Sequence, residues 1–108
     1  MKRGKRIQFK NWDCELVQDT YKDNGRIALD LVAWADDEYN EIYQGEPIAC
    51  CTSNVPDEWL DEGEVAIKDY SENEGMLQCL LDAGVVLETG RIARSGFVTL
   101  SICKFVEG

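Results

Sequence analysis

One apolar stripe limits what this chain can fold into. It lies in the segment Asp69–Gly84, where apolar side chains recur at the spacing of an α-helix, namely Met76, Leu77, Leu80, Leu81 and Ala83. A helix of about a dozen residues is only marginally stable alone in water. We therefore expect the strands of the chain to pack against this stripe and to bury it.

Both ends of the segment carry helix-end signals. Ser71 and Glu74 match the S-x-x-E capping box, in which each side chain accepts a hydrogen bond from the other residue's backbone N–H. Glu72 and Glu74 also place negative charge in the first turn, where the helix dipole favours it. Gly84 suits the left-handed conformation that often ends a helix. The sequence therefore predicts one principal helix from Ser71 to just before Gly84.

Strand patterns lie on both sides of this helix. Alternating or continuous apolar runs predict strands within residues 7–9, 12–16, 26–35, 47–53, 65–68, 91–94 and 97–105. The strand 26–35 has apolar residues on both faces, which is typical of a central strand. Strands before and after a single helix predict an α+β fold, with a mainly antiparallel sheet of about five to six strands and the helix packed on one face.

The length of 108 residues is that of one domain, which we take as residues 1–108. Residues 1–6 are rich in Lys and Arg, and we expect them to form a basic arm that is solvated, partly frayed and disordered. The alternative is an arm that contacts nucleic acid or an acidic partner. Because no apolar segment follows it, this start does not match an export signal, and no apolar run is long enough to span a membrane. A cytoplasmic protein is expected.

Residue types exclude several kinds of active site. The chain has no histidine, which excludes Ser-His-Asp and Cys-His catalysis. No P-loop or EF-hand pattern is present, so no cofactor-binding or metal residue is predicted. Cys50 and Cys51 are adjacent in a predicted strand and should point to opposite faces. All five cysteines are expected to be free thiols that act as small apolar residues: Cys14, Cys50, Cys51, Cys79 and Cys103. No catalytic residue is predicted.

The distribution of charge is more informative. The net charge is -10, and the segment 36–74 holds thirteen acids against one base, Lys68. We predict an acidic face formed by Asp36, Asp37, Glu38, Glu41, Asp57, Glu58, Asp61, Glu62 and Glu64. This face would repel nucleic acid directly, so the expected partner is a basic protein, with solubility alone as the alternative. Alternate carboxylates on an extended segment lie about 6.7 Å apart, which suggests mimicry of a phosphate backbone.

Several runs resemble a known family of small bacterial proteins. They are Asn11-Trp12, residues 45–49, Asn54-Val-Pro56, residues 65–77 and residues 95–104, with Tyr-Ser-Glu-Asn-Glu-Gly at 70–75 the most specific. Over most of the chain, from Asn11 to Lys104, the sequence resembles the domain of unknown function 4313. The family occurs largely in gut Firmicutes, among genes of phages and conjugative elements. No activity is established for it, so the resemblance implies a mobile-element accessory protein and no catalytic residue.

Two functions remain open on the sequence. The first is a non-enzymatic protein whose acidic face binds a basic partner, such as a DNA-handling or host-defence enzyme that it inhibits. The second is a small-ligand-binding protein or an enzyme, with a pocket between helix and sheet lined by Trp12, Trp34, Tyr70 or Trp59. The oligomeric state is not predicted by either.

Overall fold

The computed structural model describes the backbone of residues 2–106 and the side chains of residues 4–106. The described residues form eight strands, one α-helix and two short 3₁₀ turns, which are Asp57–Trp59 and Ser71–Asn73. The strands are β1 (Lys2–Phe9), β2 (Trp12–Thr20), β3 (Ile27–Ala33), β4 (Pro47–Cys50), β5 (Thr52–Ser53), β6 (Glu64–Ile67), β7 (Val86–Ser95) and β8 (Val98–Phe105), and the helix α1 is Met76–Asp82. The predicted α+β class and the antiparallel strand pairing are confirmed.

The strands form two sheets of four, in the orders β1-β2-β3-β4 and β5-β6-β8-β7. The prediction of a single sheet of five to six strands is therefore wrong. The physical reason lies at Cys51, which divides the predicted strand 47–53 into β4 and β5. Its N–H donates to the carbonyl of Leu29 in the first sheet at 2.9 Å, and its carbonyl accepts from Lys68 at the end of β6 at 2.9 Å. One residue thus joins the two sheets at a corner.

The main core lies between the sheets and the helix. Met76 and Leu80 of α1 are completely buried, as the apolar stripe predicts. They pack with buried residues of both sheets, including Ile7, Phe9, Cys14, Leu16, Leu29, Leu31, Val65, Ile67 and Cys103. A smaller cluster covers the other side of the second sheet and contains Val55, Leu60, Ala66, Leu100 and Ile102. The central position predicted for the third strand is confirmed, because β3 lies between β2 and β4.

The beginning of the helix differs from the prediction. The α-helix starts only at Met76, because Gly75 adopts a left-handed φ of 95° and separates it from the 3₁₀ turn at 71–73. Ser71 itself has a φ of 53°, which is not the extended conformation of an N-cap residue. The capping box is therefore wrong. Instead, Asp69 Oδ1 accepts the backbone N–H groups of Gly75 and Leu77, each at 3.0 Å.

The end of the helix is as predicted. Gly84 has a φ of 72°. Its N–H donates to the carbonyl of Leu81 at 3.0 Å, and the N–H of Val85 donates to the carbonyl of Leu80 at 3.0 Å. This pair of hydrogen bonds is the Schellman motif. It turns the chain directly into β7.

The basic N-terminus is built into the fold from Lys2, and only Met1 of the predicted arm 1–6 lies outside the described residues. Residues 2–6 of the predicted arm belong to β1, which pairs with β2 with a register shift between Arg3 and Arg6. Lys5 Nζ donates to the carbonyl of Ala83 at the end of α1, where the dipole favours a cation. Lys10 Nζ donates to the carbonyl of Glu72 at 2.7 Å. These lysines hold β1 against the helical segment.

None of the helices in the described part of the chain combines the length and the apolar character needed to cross a membrane.

Candidate functional site

The nine predicted acidic-face residues separate into two groups. One belongs to the acidic loop, which we define as residues 36–46 between β3 and β4, and the other to the acidic turn, residues 57–64 before and at the start of β6. Each holds five acids and no base. Arg26, which precedes β3, binds Asp57 of the acidic turn, whereas the acidic loop follows the far end of β3. Six residue steps of strand separate these positions by about 20 Å. The structure therefore does not bring the nine residues onto one surface.

The acidic loop is held by its own carboxylates. Asp37 forms an antiparallel bridge with Ile42, with N–H···O distances of 2.7 and 2.9 Å. Its side chain accepts the Asn40 backbone N–H at 3.2 Å and the Asn40 amide at 2.7 Å. Asp36 Oδ1 accepts the N–H of Gln44 at 2.9 Å. These hydrogen bonds hold the acidic loop in a single conformation.

Hydrogen bonding also lowers the pKa of one acid in this loop. The Asn40 side chain and backbone N–H lower the pKa of Asp37 below its usual value. A further carboxylate, Glu46, accepts the backbone N–H of Tyr43 at 3.2 Å. The carboxylate of Asp37 is therefore ionised at neutral pH. The remaining two acids of the loop, Glu38 and Glu41, are exposed.

Two tyrosines project from the same loop. Tyr39 is 95% exposed and Tyr43 is 59% exposed. An aromatic face attracts an Arg or Lys side chain, and the effect adds to the attraction of nearby carboxylates. The sequence analysis considered only the acids of this stretch and missed both tyrosines. The signal that could have found them is the spacing of two aromatic residues between acids, without an apolar pattern that would bury them.

The acidic turn uses its acids differently. Arg26 Nε binds Asp57 Oδ1 at 2.5 Å, and its other guanidinium nitrogens donate to the carbonyls of Asp57, Leu60 and Asp61 at 3.1, 2.9 and 2.7 Å. Arg91 pairs with Glu64 and lies 3.6 Å from Asp61 Oδ2. Two arginines from other elements therefore neutralise much of this turn.

Glu64 is a structural residue and not part of an exposed face. It is only 7% exposed. Its Oε1 accepts the N–H of Asp61 at 2.8 Å, and the hydrogen bond from Arg91 lowers its pKa. Leu60 of the same turn packs into the smaller apolar cluster. The acidic turn is thus anchored to the second sheet by one apolar contact and by ion pairs.

The suggested mimicry of a phosphate backbone is not supported by these geometries. That spacing required acids on an extended segment, whereas the acidic loop is a bridged turn and the acidic turn begins with a 3₁₀ turn. Only Glu64 of the nine residues lies in a strand, and it is buried.

The four aromatic residues of the predicted ligand pocket are also dispersed. Trp12 lies beside the acidic loop, and Trp59 lies beside β7. The guanidinium of Arg6 lies over the ring of Trp34, with its Cζ 5.1 Å from the ring centroid. Tyr70 lines a cleft of about 510 Å³ next to β4. The side of the helix where that pocket was predicted is filled by Met76 and Leu80, which are fully buried.

The cleft next to β4 contains polar groups of both signs. Asp30, Lys68 and Glu72 line it together with the exposed Cys50. Burial, and then the neighbouring Asp30, raise the pKa of the Cys50 thiol. Cys51, between β4 and β5, is completely buried, so the two side chains point in opposite directions as predicted, although only Cys50 lies in a strand.

The other thiols behave as small apolar side chains. Burial raises the pKa of Cys14 and of Cys103 to about 11, and it also raises the pKa of Cys51 and Cys79. All five thiols are free. They are therefore protonated at neutral pH, when a thiolate would be needed for nucleophilic chemistry.

A scan against protein-family models finds no match, and searches of the curated proteins and of the solved structures find no similar chain. The resemblance to the domain of unknown function 4313 therefore stays a prediction.

Proposed function

We propose that this chain is a non-enzymatic binding protein whose acidic loop engages a basic protein partner. The observation that carries the proposal is the combination within residues 36–46 of a hydrogen-bonded loop, exposed carboxylates and two exposed tyrosines. The Arg or Lys side chains of a basic partner would be attracted by the carboxylates of this surface, and they would also form cation–π contacts with the tyrosine rings.

The internal hydrogen bonds of the loop favour binding. Ordering a flexible loop at an interface costs free energy, whereas a loop that is already ordered avoids much of that cost. The bridge between Asp37 and Ile42 and the bonds from Gln44 and Asn40 fix the loop before a partner arrives. The net charge of -10 would also speed the approach of a cationic surface, and salt would weaken this effect.

The raised pKa values of the cysteines support a binding role over thiol catalysis. The resemblance to domain of unknown function 4313 adds a context, namely an accessory protein of a mobile element. A DNA-handling or host-defence enzyme is a basic partner that fits this context, and binding to it would inhibit it.

The test compares two double variants that each remove two negative charges. One neutralises the acidic loop, Glu38→Gln with Glu41→Gln, and the other neutralises the acidic turn, Glu58→Gln with Glu62→Gln. The probe is a fluorescent arginine-rich peptide, and binding is measured by anisotropy over a range of salt concentrations. We expect binding by the wild type at low salt and its loss at high salt.

The loop variant should bind the peptide several-fold more weakly, and the turn variant should bind like the wild type. A third variant, Tyr39→Ser with Tyr43→Ser, keeps every charge and should also weaken binding. Equal losses in the two charge variants would show that only net charge matters, and they would contradict a specific site in the loop.

The second candidate is a small-ligand-binding protein or enzyme, and the cleft next to β4 is the feature that favours it. The cleft places Lys68 and Tyr70 beside the apolar residues Val32 and Ile48. A thermal-shift screen of nucleotides and metals tests this candidate. A ligand that raises Tm in the wild type but not in Lys68→Gln would support it, and no shift with any compound would set it aside.

A further inference from the structure

A sheet edge exposes unpaired backbone groups that can add a further strand, and three of the four edges here are blocked or short. At β4, the Asn73 amide donates to the carbonyl of Cys50 at 2.6 Å, and Pro47 has no N–H to offer. The edge strand β5 has two residues. In β1 the pairing register shifts between Arg3 and Arg6, and in its regular half the Cys79 thiol of α1 donates to the carbonyl of Gln8 at 3.4 Å. The fourth edge is β7.

The first half of β7 is interrupted as well. Its pairing with β8 is irregular between Glu88 and Ile92, and Gly90 has a φ of 84°. The hydroxyl of Thr89 accepts the N–H of Arg91 at 3.1 Å and donates to the carbonyl of Ile102 at 2.7 Å. A bulge of this kind makes an edge unsuitable for pairing.

The second half of β7, residues 92–95, is regular. It ends in a two-residue turn, because Ser95 pairs with Val98 across Gly96 and Phe97. In such a hairpin the residues that flank the turn form a hydrogen-bonded pair, and the pairs then alternate along the ladder. The N–H and carbonyl groups of Ile92 and Arg94 therefore point away from β8. No residue outside the hairpin that the structure describes makes a backbone bond to them.

A groove of about 380 Å³ runs beside this half-strand. It is lined by Glu58 and Trp59 of the acidic turn and by residues 91–94 of β7, and Ala93 packs against the smaller apolar cluster. The side chains of Ile92 and Arg94 alternate with that of Ala93 along the strand and so point to its opposite face, and Ile92 is 64% exposed. Arg94 forms no ion pair with any residue in the described part of the chain. Arg91, in contrast, is paired with Glu64.

We propose that residues 92–95 of β7 bind an extended segment of a partner protein as an added antiparallel strand. The segment alternates apolar residues with acids. Its apolar side chains would face Ala93 and Trp59 in the groove, and a carboxylate on the opposite face would pair with Arg94. This is recognition by strand addition, in which backbone hydrogen bonds give affinity and alternate side chains give specificity. It is a second interface, separate from the acidic loop.

Charge argues against a second copy of this chain as the occupant. Symmetric antiparallel pairing through the outward groups would place Ile92 opposite Arg94 of the other copy. The two Arg94 side chains would then be diagonal neighbours on one face, roughly 7–8 Å apart, and like charges at that distance repel. With an acidic segment as the occupant, Arg94 would instead face a carboxylate and attract it.

The probe is an acetylated and amidated heptapeptide in which valine and glutamate alternate, and binding is followed by amide NMR and by Trp59 fluorescence. In the free protein, the amides of Ile92 and Arg94 should exchange with solvent faster than those of Ala93 and Ser95. On addition of the peptide, the Ile92 and Arg94 amides should become protected and should show saturable shifts.

Two modified peptides test the register of the added strand. N-methylation of the glutamates removes the N–H groups that would face β7, and it should abolish binding. N-methylation of the valines removes groups that face solvent, and this peptide should still bind. Equal binding by both modified peptides, or no saturable shift at the solubility limit, would overturn the proposal.

Two protein variants test the role of charge. Arg94→Gln should weaken binding by about two- to fivefold, the size of an exposed ion pair. Lys104→Gln makes the same charge change elsewhere on the sheet and should leave binding unchanged. If the Ile92 and Arg94 amides are protected without peptide, and sedimentation shows a dimer, a second copy occupies the edge and the proposal is wrong.

Discussion

The acidic loop and the acidic turn have the same number of acids and no base, but the fold uses them in different ways. In the acidic turn, Arg26 and Arg91 bind the acids, and Leu60 anchors the turn in an apolar cluster. In the acidic loop, Asp36 and Asp37 bind backbone and amide N–H groups of the loop itself.

The difference shows that a count of acids does not identify a binding surface. What matters is whether basic residues of the same chain already neutralise the acids. The arginines that do so come from distant positions, since Arg26 precedes β3 and Arg91 lies in β7. In the acidic loop the exposed carboxylates lie beside two highly exposed rings, Tyr39 at 95% and Tyr43 at 59%, whereas the acidic turn offers only the 36% exposed Trp59 beside Glu58 and Glu62.

The largest predicted difference between the two regions concerns their apolar anchors. Leu60→Ala should lower the free energy of unfolding by about 2–4 kcal/mol, because it leaves a cavity in the smaller cluster. Ile42→Ala in the acidic loop should cost less than half as much, because Ile42 is only partly buried. Urea unfolding of both variants measures the two free energies. Equal losses of stability would show that the acidic turn is not anchored more firmly than the acidic loop.

A smaller effect is expected from the buried carboxylate. Glu64→Gln should destabilise the protein by about 1–3 kcal/mol, because it removes a charge-assisted hydrogen bond to Arg91. Glu38→Gln is the matched control in the acidic loop and should leave the urea midpoint unchanged. A Glu64→Gln variant with the urea midpoint of the wild type would show that the acidic turn is not held by this ion pair.

The dependence of stability on pH should separate the wild type from Glu64→Gln. Arg91 lowers the pKa of Glu64 in the folded protein. The ionised Glu64 therefore contributes its full stabilisation to the folded state only above the pKa of a Glu side chain in the unfolded chain, about 4.3. That contribution is lost as the pH falls through the lower folded value. The urea midpoint of the wild type should therefore fall more steeply below about pH 4.3 than that of Glu64→Gln. Parallel curves would contradict this assignment.

The smallest effect is expected from the exposed acids. The two double variants, Glu38→Gln with Glu41→Gln and Glu58→Gln with Glu62→Gln, should both fold with the urea midpoint of the wild type, because these side chains are exposed. This result is needed for the binding comparison, since any loss of binding is then a property of the surface. A large loss of stability in either variant would show a structural role.

The helix illustrates what the sequence could predict. Apolar spacing located Leu80 in the core, and the preference of glycine for a left-handed conformation located Gly84 at the helix end. Both signals depend only on local geometry. The start was misplaced because two local signals competed. Ser71 and Glu74 match a capping box, but Gly75 takes a left-handed conformation, and Asp69 caps the helix from farther back.

The sheets and the site depended on contacts that no local pattern reveals. The corner at Cys51 arises from its bonds to Leu29 and Lys68, which are distant in sequence, so a continuous apolar run was predicted as one strand. The acids of residues 36–64 were predicted to form one face because they are close in sequence. The fold places the two groups at opposite ends of β3.

The most direct test of the central claim is an amide NMR titration of the wild-type protein with the arginine-rich peptide. We predict that saturable shifts will concentrate in residues 36–46, with Tyr39 and Tyr43 among the most affected, and that they will disappear at high salt. Shifts of equal size in the acidic turn, or shifts spread over the whole surface, would contradict the account.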